Sequence, residues 1–140
     1  MFGKHPYNKA VNYFMKLRWS TPGTLMYKEN LYNVIWFSKE ALRKNERDGD
    51  AHVLLANAYY LASLMDRTSS DNYVRYFPFA VAVIYEWKSK PMYTKAKENG
   101  EKVYCGILEE MKRYNSEHPE IPEGSLLAKL HQLYYQQALV

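Results

Sequence analysis

Four histidines and one cysteine are the side chains of this 140-residue sequence that could bind a metal or act as a nucleophile. No histidine has a glutamate three residues before it, so the Glu-x-x-His spacing of di-iron bundles is absent. The His-Glu-x-x-His motif, the glycine-rich phosphate loops and the paired cysteines of zinc sites are absent as well. We therefore expect no catalytic residue, no metal site and no cofactor. The histidines are His5, His52, His118 and His131.

Cys105 precedes Gly106, and no histidine or activating charge can be placed beside its thiol from the sequence. A thiol becomes nucleophilic where neighbouring positive charge favours the thiolate. We therefore interpret Cys105 as a packed or half-exposed structural residue. An enzyme that uses the tyrosines or His52 in a helical pocket stays open as a class, although no motif favours it.

The chain is organised around the segment 50–65, which is apolar on nearly every side. A helix of this kind must be covered by neighbours on more than one side. Small residues among the large ones let those neighbours approach closely. Asp50 is predicted to be the N-cap of this helix. The short polar turn at 46–49 predicts that the preceding helix packs antiparallel to it.

Apolar spacing predicts the other helices. The segment from Phe77 to Trp87 alternates β-branched residues and could form a buried strand, but no second strand candidate exists to pair with it. We therefore predict a helix that starts at Asp71 and kinks at Pro78, or starts afresh near Pro78. The remaining helices are predicted over 8–19, from a Thr24 cap to about Asn45, from Pro91 to about Tyr114, and from Ser125 onward.

The last predicted helix carries apolar residues on one face and polar ones on the other, as a capping helix does. Gly100 and Gly106 are expected to weaken the helix before it or to permit close helix contact. The sequence therefore predicts a single all-α domain over residues 1–140, with five to seven helices. The apolar face of the last helix consists of Leu126, Leu127, Leu130, Leu133 and Tyr134.

Composition narrows the class of protein further. Hydrophobic residues make up 47% of the chain, which argues against disorder. A single cysteine fits a reducing compartment, no secretory signal is visible, and the longest apolar run is too short to span a bilayer. We therefore expect a cytoplasmic protein without a transmembrane segment. Its fourteen tyrosines exceed what a core needs, so some should lie at an interface.

Positive charge is concentrated in the first third, where residues 1–49 carry nine Lys or Arg against four Asp or Glu. Such a region could face an acidic protein, nucleic acid or an anionic membrane, or it could be a solvated helix face. Lys9, Lys16 and Arg18 alternate with aromatic residues, as a nucleic-acid surface would. Any amphipathic helix shows the same pattern, so the signal is weak.

The junction of the second and third helices resembles the tetratricopeptide repeat over roughly residues 36–63. In that family a helix ends in a small and then a large residue, and after a short polar turn the next helix carries a Leu–small–x–x–Tyr core. Here Lys39-Glu40-Ala41-Leu42 is followed by the turn at 46–49 and by Leu55-Ala56-Asn57-Ala58-Tyr59-Tyr60. The resemblance implies an antiparallel helix-pair array, an α-α superhelix with a C-terminal capping helix.

The pattern also departs from the family. His52 stands where the family often has tryptophan, Glu46 stands where it often has proline, and no second copy recurs at a fixed period. An unrelated helical bundle with the same need for small residues at helix crossings is the alternative fold.

The resemblance also implies a function. In that family the first helix of each repeat lines a groove that holds an extended peptide or a partner helix. Asn57 is the sharpest candidate here, because an amide can both donate to and accept from a peptide backbone. A buried amide satisfied by a neighbouring helix is the alternative interpretation. Carried over to this chain, the groove positions are Asp50, Val53, Leu54, Asn57, Tyr60 and Leu61.

We therefore predict a non-enzymatic adaptor or scaffold that binds a segment of a partner protein. The alternative is a nucleic-acid-associated helical protein that uses its basic, aromatic-rich first third. The oligomeric state is not predicted, and no lysine can be placed in the groove to hold a partner's terminal carboxylate.

Overall fold

A computed structural model describes residues 5–65, 71–117, 119 and 133–139, and the described chain is all-α, as predicted. Its only β feature within these residues is an isolated bridge between Asp48 and Tyr93. A further helical stretch, here called the C-terminal segment, covers 133–139. The helices are α1 (His5–Lys16, followed by a 3-10 turn at Leu17–Trp19), α2 (Leu25–Lys44), α3 (Gly49–Ser63), α4 (Asp71–Ser89) and α5 (Lys97–Glu117).

Side-chain caps set the starts of α2 and α3. The Thr24 hydroxyl accepts from the Tyr27 N–H, as predicted. The cap of α3 is Asp48, whose carboxylate accepts from the Ala51 N–H at 3.1 Å, so the prediction of Asp50 is wrong. Asp48 has the extended backbone that an N-cap needs, whereas Asp50 already lies in the first helical turn.

The segment from Phe77 to Trp87 is helical, and α4 starts at Asp71 as predicted. Pro78 lies inside this helix, where its missing N–H removes one intrahelical hydrogen bond. Burial of Ala80, Val81 and their neighbours explains why a β-branched stretch is helical here: tertiary packing outweighs the local strand propensity.

The fifth helix begins at Lys97, so the prediction that Pro91 opens it is wrong. Residues 91–96 instead cross the start of α3. The Tyr93 N–H donates to the Arg47 carbonyl at 3.2 Å, and the Gly49 N–H donates to the Tyr93 carbonyl at 2.6 Å. A Cβ on Gly49 would lie 2.6 Å from that carbonyl oxygen, so only glycine permits this approach. These contacts between distant parts of the chain overrode the local proline signal.

The central helix α3 packs most extensively against α4 and then α2, and it also contacts α5 and α1. The predicted requirement that it be covered on several sides is confirmed. Close approach at Gly100 is confirmed too, because a Cβ there would overlap the indole ring of Trp87 on α4. Gly106 has open space around it. The small residues of α3 are fully buried: Ala51, Ala56, Ala58 and Ala62.

The C-terminal segment docks on α3 and α4. The Tyr59 hydroxyl donates to the Ala138 carbonyl at 2.7 Å, and the ring of Tyr134 meets Phe79 edge-on at 5.8 Å. Leu133 is 50% exposed, so its predicted place on the buried face is wrong. The predicted start of this helix at Ser125 lies outside the described residues. So do three other positions predicted for its apolar face, Leu126, Leu127 and Leu130.

Candidate functional site

Helix α3 keeps one strip of partly exposed residues, while its other residues are buried. Positions 50, 54, 57 and 61 follow the helical period, so they share one side of the helix. We call this set the α3 strip. It contains five of the six predicted groove residues; the sixth, Val53, is 3% exposed and belongs to the core. The members of the strip are Asp50, Leu54, Asn57, Tyr60 and Leu61.

Asn57 lies at the middle of the strip, one turn from Leu54 and one turn from Leu61. Its side-chain amide forms no hydrogen bond with any described residue. Both leucines pack partly against the core and leave the rest of their surface exposed. An amide with a free donor and a free acceptor between two apolar side chains can bind both backbone groups of an extended chain.

Tyr60 is held at the side of the strip that faces α4. Its ring is tilted against Phe77 with the centroids 6.2 Å apart, and Phe77 stacks on Tyr73 at 4.8 Å. Tyr73 in turn stacks on Tyr114 of α5 at 5.9 Å. Burial, with a further contribution from the charge of Glu110, raises the pKa of Tyr73, which keeps its hydroxyl protonated. This row of rings fixes the position of Tyr60.

Asp50 at the start of the strip is already engaged within the chain. One carboxylate oxygen accepts from the Thr94 hydroxyl and, at 3.2 Å, from the Ala96 N–H; the other accepts from the Lys95 N–H at 3.2 Å. The structure therefore gives Asp50 the role of holding residues 94–96 against α3. Neither of its oxygens is without a hydrogen bond.

A surface cavity of about 430 Å³ lies beside Asp50. Burial, followed by the negative charges of Asp50 and Asp48, raises the pKa of Tyr7 in its wall. Its lining includes Tyr7, Lys44, Asp48, Asp50, Tyr93 and Lys95.

The basic face predicted from Lys9, Lys16 and Arg18 is exposed. The rings of Tyr13 and Phe37 stack on each other at 5.7 Å with only 5° between their planes. The Lys9 ammonium lies 5.3 Å from the Phe37 centroid, and the Lys16 ammonium lies 4.7 Å from the Tyr13 centroid. These two rings are therefore engaged with each other and with lysines, whereas nucleobase binding requires a free ring face.

His52 is fully buried and has both ring nitrogens in contact with protein oxygens. Nδ1 lies 2.9 Å from the Asp48 carbonyl, and Nε2 lies 3.2 Å from the Tyr135 hydroxyl of the C-terminal segment. Because a carbonyl only accepts, Nδ1 carries the proton and Nε2 accepts from Tyr135. Burial lowers the pKa of His52, and burial raises the pKa of Tyr135 to about 12. The pair joins the C-terminal segment to α3, and its members are 83 positions apart in the sequence, which hid the contact from sequence reasoning.

Cys105 is exposed on α5, which rules out the packed alternative of the prediction. Among the described residues, no group of three or more His, Cys, Asp or Glu side chains could hold a metal ion. Within the same residues, no helix has the length and apolar character needed to cross a membrane.

Comparison with known proteins gives no relative. No family model, curated protein or solved structure matches this chain.

Proposed function

We propose that this protein is a non-enzymatic adaptor that holds an extended segment of a partner protein along the α3 strip. The carrying observation is the side-chain amide of Asn57, which has no partner among the described residues and sits between two half-buried leucines. The rest of α3 is covered by the chain itself. Burying an amide without a hydrogen-bond partner would destabilise the fold, whereas a partly exposed amide can bind another molecule.

The dimensions of the strip suit a short extended segment. Leu54 and Leu61 are seven residues apart, which in a helix is roughly 10 Å. An extended chain covers that distance in about three residues. A partner could therefore place an apolar side chain against each leucine while one of its peptide groups pairs with Asn57.

The tetratricopeptide-like arrangement is part of this proposal. It is supported by the burial of Ala41, Ala56 and Ala58, the small residues that the family pattern requires at helix crossings. Successive helices also pack on each other, α1 with α2, α2 with α3 and α3 with α4. A protein partner is favoured over nucleic acid because Tyr13 and Phe37 of the basic face stack on each other.

Site-specific cross-linking tests where the partner binds. A photo-crosslinking amino acid in place of Asn57 should join the full chain to its partner in cells. The matched control is the same amino acid in place of Asn33, which is partly exposed on α2. Equal cross-linking at both positions, or cross-linking at 33 alone, would show that the strip is not the binding surface.

The affinity for the cross-linked partner tests the role of each side chain. Asn57→Ala should weaken binding by about 1–2 kcal/mol, because it leaves a backbone group of the partner unpaired. Tyr60→Ala should cost about 2 kcal/mol, as aromatic residues at interface centres do. Asn33→Ala should leave the affinity unchanged, and all three variants must melt within a few degrees of the parent. Parental affinity in both strip variants would contradict the proposal.

A further inference from the structure

The connection between α1 and α2 exposes large apolar side chains that nothing in the described chain covers. Trp19 is 88% exposed, Leu25 is 70% exposed and Met26 is 64% exposed. All residues from 21 to 26 are exposed, and Gly23 turns the chain with a φ of 90°. We call residues 15–28 the tip. Its exposed apolar side chains lie around this turn, whereas Leu17 and Tyr27 of the same range anchor it in the core.

The first turn of α4 lies beside the tip. Leu25 and Lys28 line the same surface pocket as Asn72 of α4. One to two turns further on, the Tyr32 and Tyr76 hydroxyls of α2 and α4 are 3.5 Å apart. Val74, which is also largely exposed, therefore belongs to the same end of the molecule as the tip.

Positive charge surrounds these apolar residues. The Lys28 ammonium lies 5.7 Å from the Tyr32 ring centroid, and the Arg75 guanidinium lies 5.5 Å from that of Tyr76. The hydrogen-bonded tyrosines thus hold two cations close together at the base of the tip. Lys16 at the end of α1 and Arg18 in the 3-10 turn are exposed as well. None of these four cations forms a salt bridge with a described carboxylate.

We propose that the tip binds the surface of an anionic lipid bilayer, with Trp19, Leu25 and Met26 inserted below the headgroups. Indole and aliphatic side chains flanked by Lys and Arg are the composition of interfacial membrane anchors. The four cations then contact lipid phosphates, each one strengthening binding to an anionic leaflet. Contact is peripheral, because no described helix could span the bilayer.

The exposed side chains and the charge favour a membrane over other occupants. The apolar side chains of the tip lie on an exposed turn flanked by cations, and a bilayer surface offers both an apolar interior and anionic headgroups to such a turn. A second copy of the chain would bring the same four cations against each other, and the two exposed carboxylates nearby, Glu29 and Asp71, are too few to balance them. Of the three inserted residues only Trp19 could stack on a nucleobase, because Leu25 and Met26 are aliphatic. This inference is independent of the α3 strip.

Vesicle cosedimentation of the full chain tests the proposal. The protein should bind vesicles of phosphatidylcholine with phosphatidylserine, and bind vesicles of phosphatidylcholine alone at least tenfold more weakly. Binding should decrease as salt is raised, because surface charges are screened. Absence of binding to the anionic vesicles overturns the proposal.

Matched variants separate the tip from general electrostatic attraction. Lys28→Glu should reduce binding about thirtyfold, and Trp19→Ser about tenfold. The controls are Lys102→Glu, the same charge change on α5, and Trp36→Ser, another exposed tryptophan on α2. Both controls should bind within about twofold of the parent. If either control variant loses as much vesicle affinity as the matching tip variant does, the tip is not the membrane contact.

Insertion of Trp19 into the bilayer can be measured separately by fluorescence quenching. Brominated lipid tails should quench tryptophan fluorescence in the parent and in Trp36→Phe, and should quench it much less in Trp19→Phe. Undiminished quenching in Trp19→Phe would show that Trp19 stays outside the bilayer and would overturn the insertion step.

Discussion

Two sides of the same helix, α3, have opposite relations to the rest of the chain. On one side, His52 and Tyr59 bind the C-terminal segment through hydrogen bonds to Tyr135 and Ala138. On the other side, the amide of Asn57 has no partner among the described residues. Polar groups on a central helix are normally satisfied when they are buried. The contrast indicates that the first side serves stability and the second is available to another molecule.

Arginine substitutions at the adjacent positions 57 and 58 should give the largest difference in stability between the two sides of α3. Ala58→Arg should unfold the domain or leave it molten, because a charged side chain cannot fit a fully buried site filled by a methyl group. The expected loss is several kcal/mol, roughly half the stability of an ordinary domain. Asn57→Arg, one residue away on the strip, should fold normally and should block the partner. Thermal melting followed by circular dichroism distinguishes the two.

Equal melting temperatures of the two arginine variants would contradict the distinction between a packed and an exposed side of α3. If Ala58→Arg melts like the parent, position 58 is not at a packed helix crossing. If Asn57→Arg also unfolds, the strip is part of the core and cannot receive a partner.

The sequence predicted the strip but not what closes the opposite side of α3. The resemblance to the tetratricopeptide repeat implied the five positions of the strip, although it also included the buried Val53. A threonine before an apolar helix is a local cap signal. In contrast, Asp50 was predicted to be a cap because no local pattern reveals that its carboxylate holds residues 94–96. Such contacts depend on tertiary structure, which single-sequence periodicity does not encode.

The same limit explains the errors further along the chain. Pro91 is a valid start signal for a helix, but its segment is extended by hydrogen bonds to Arg47 and Gly49, more than forty residues away. Leu133 looked like a core residue because leucines recur before it, yet the segment docks through Tyr135 and Ala138. An apolar residue can be predicted to be buried only when it is known which face of its helix packs against the core.

Two glycines of α5 test whether close packing, rather than residue type, decides the outcome of a substitution. Gly100→Ala should force the Trp87 ring to move, at a cost of about 1–3 kcal/mol. Gly106→Ala meets no atom within 4 Å, so the better helix propensity of alanine should stabilise the fold by up to about 1 kcal/mol. Chemical denaturation of both variants measures the difference. A stabilised Gly100→Ala variant would show that α4 and α5 are not in close contact there.

The smallest expected effect is a pH dependence of the unfolding free energy. It comes from His52, on the side of α3 that the C-terminal segment covers and that we call the closed side. Burial lowers the pKa of His52 below its ordinary value of 6.5, and its hydrogen bond to the Asp48 carbonyl and the charge of Glu86 only partly oppose that shift. The unfolded chain therefore takes up a proton on this histidine at a higher pH than the folded chain does. The contribution of His52 to stability is complete above about pH 7 and is lost as the pH falls from 6.5 through the folded-state pKa.

Unfolding free energies measured between pH 8 and pH 5 should show this dependence. The parent should lose stability on acidification, and His52→Gln, which cannot titrate, should show a flatter profile even if it is less stable throughout. Tyr135→Phe removes the hydroxyl that donates to Nε2 and should cost about 1 kcal/mol at pH 8. Because Tyr135 holds the C-terminal segment, protection of residues 133–139 in hydrogen exchange should fall in this variant before that of α3 does. A parent and a His52→Gln variant with identical pH profiles would mean that His52 is solvated, and that the side of α3 we describe as closed is open to water.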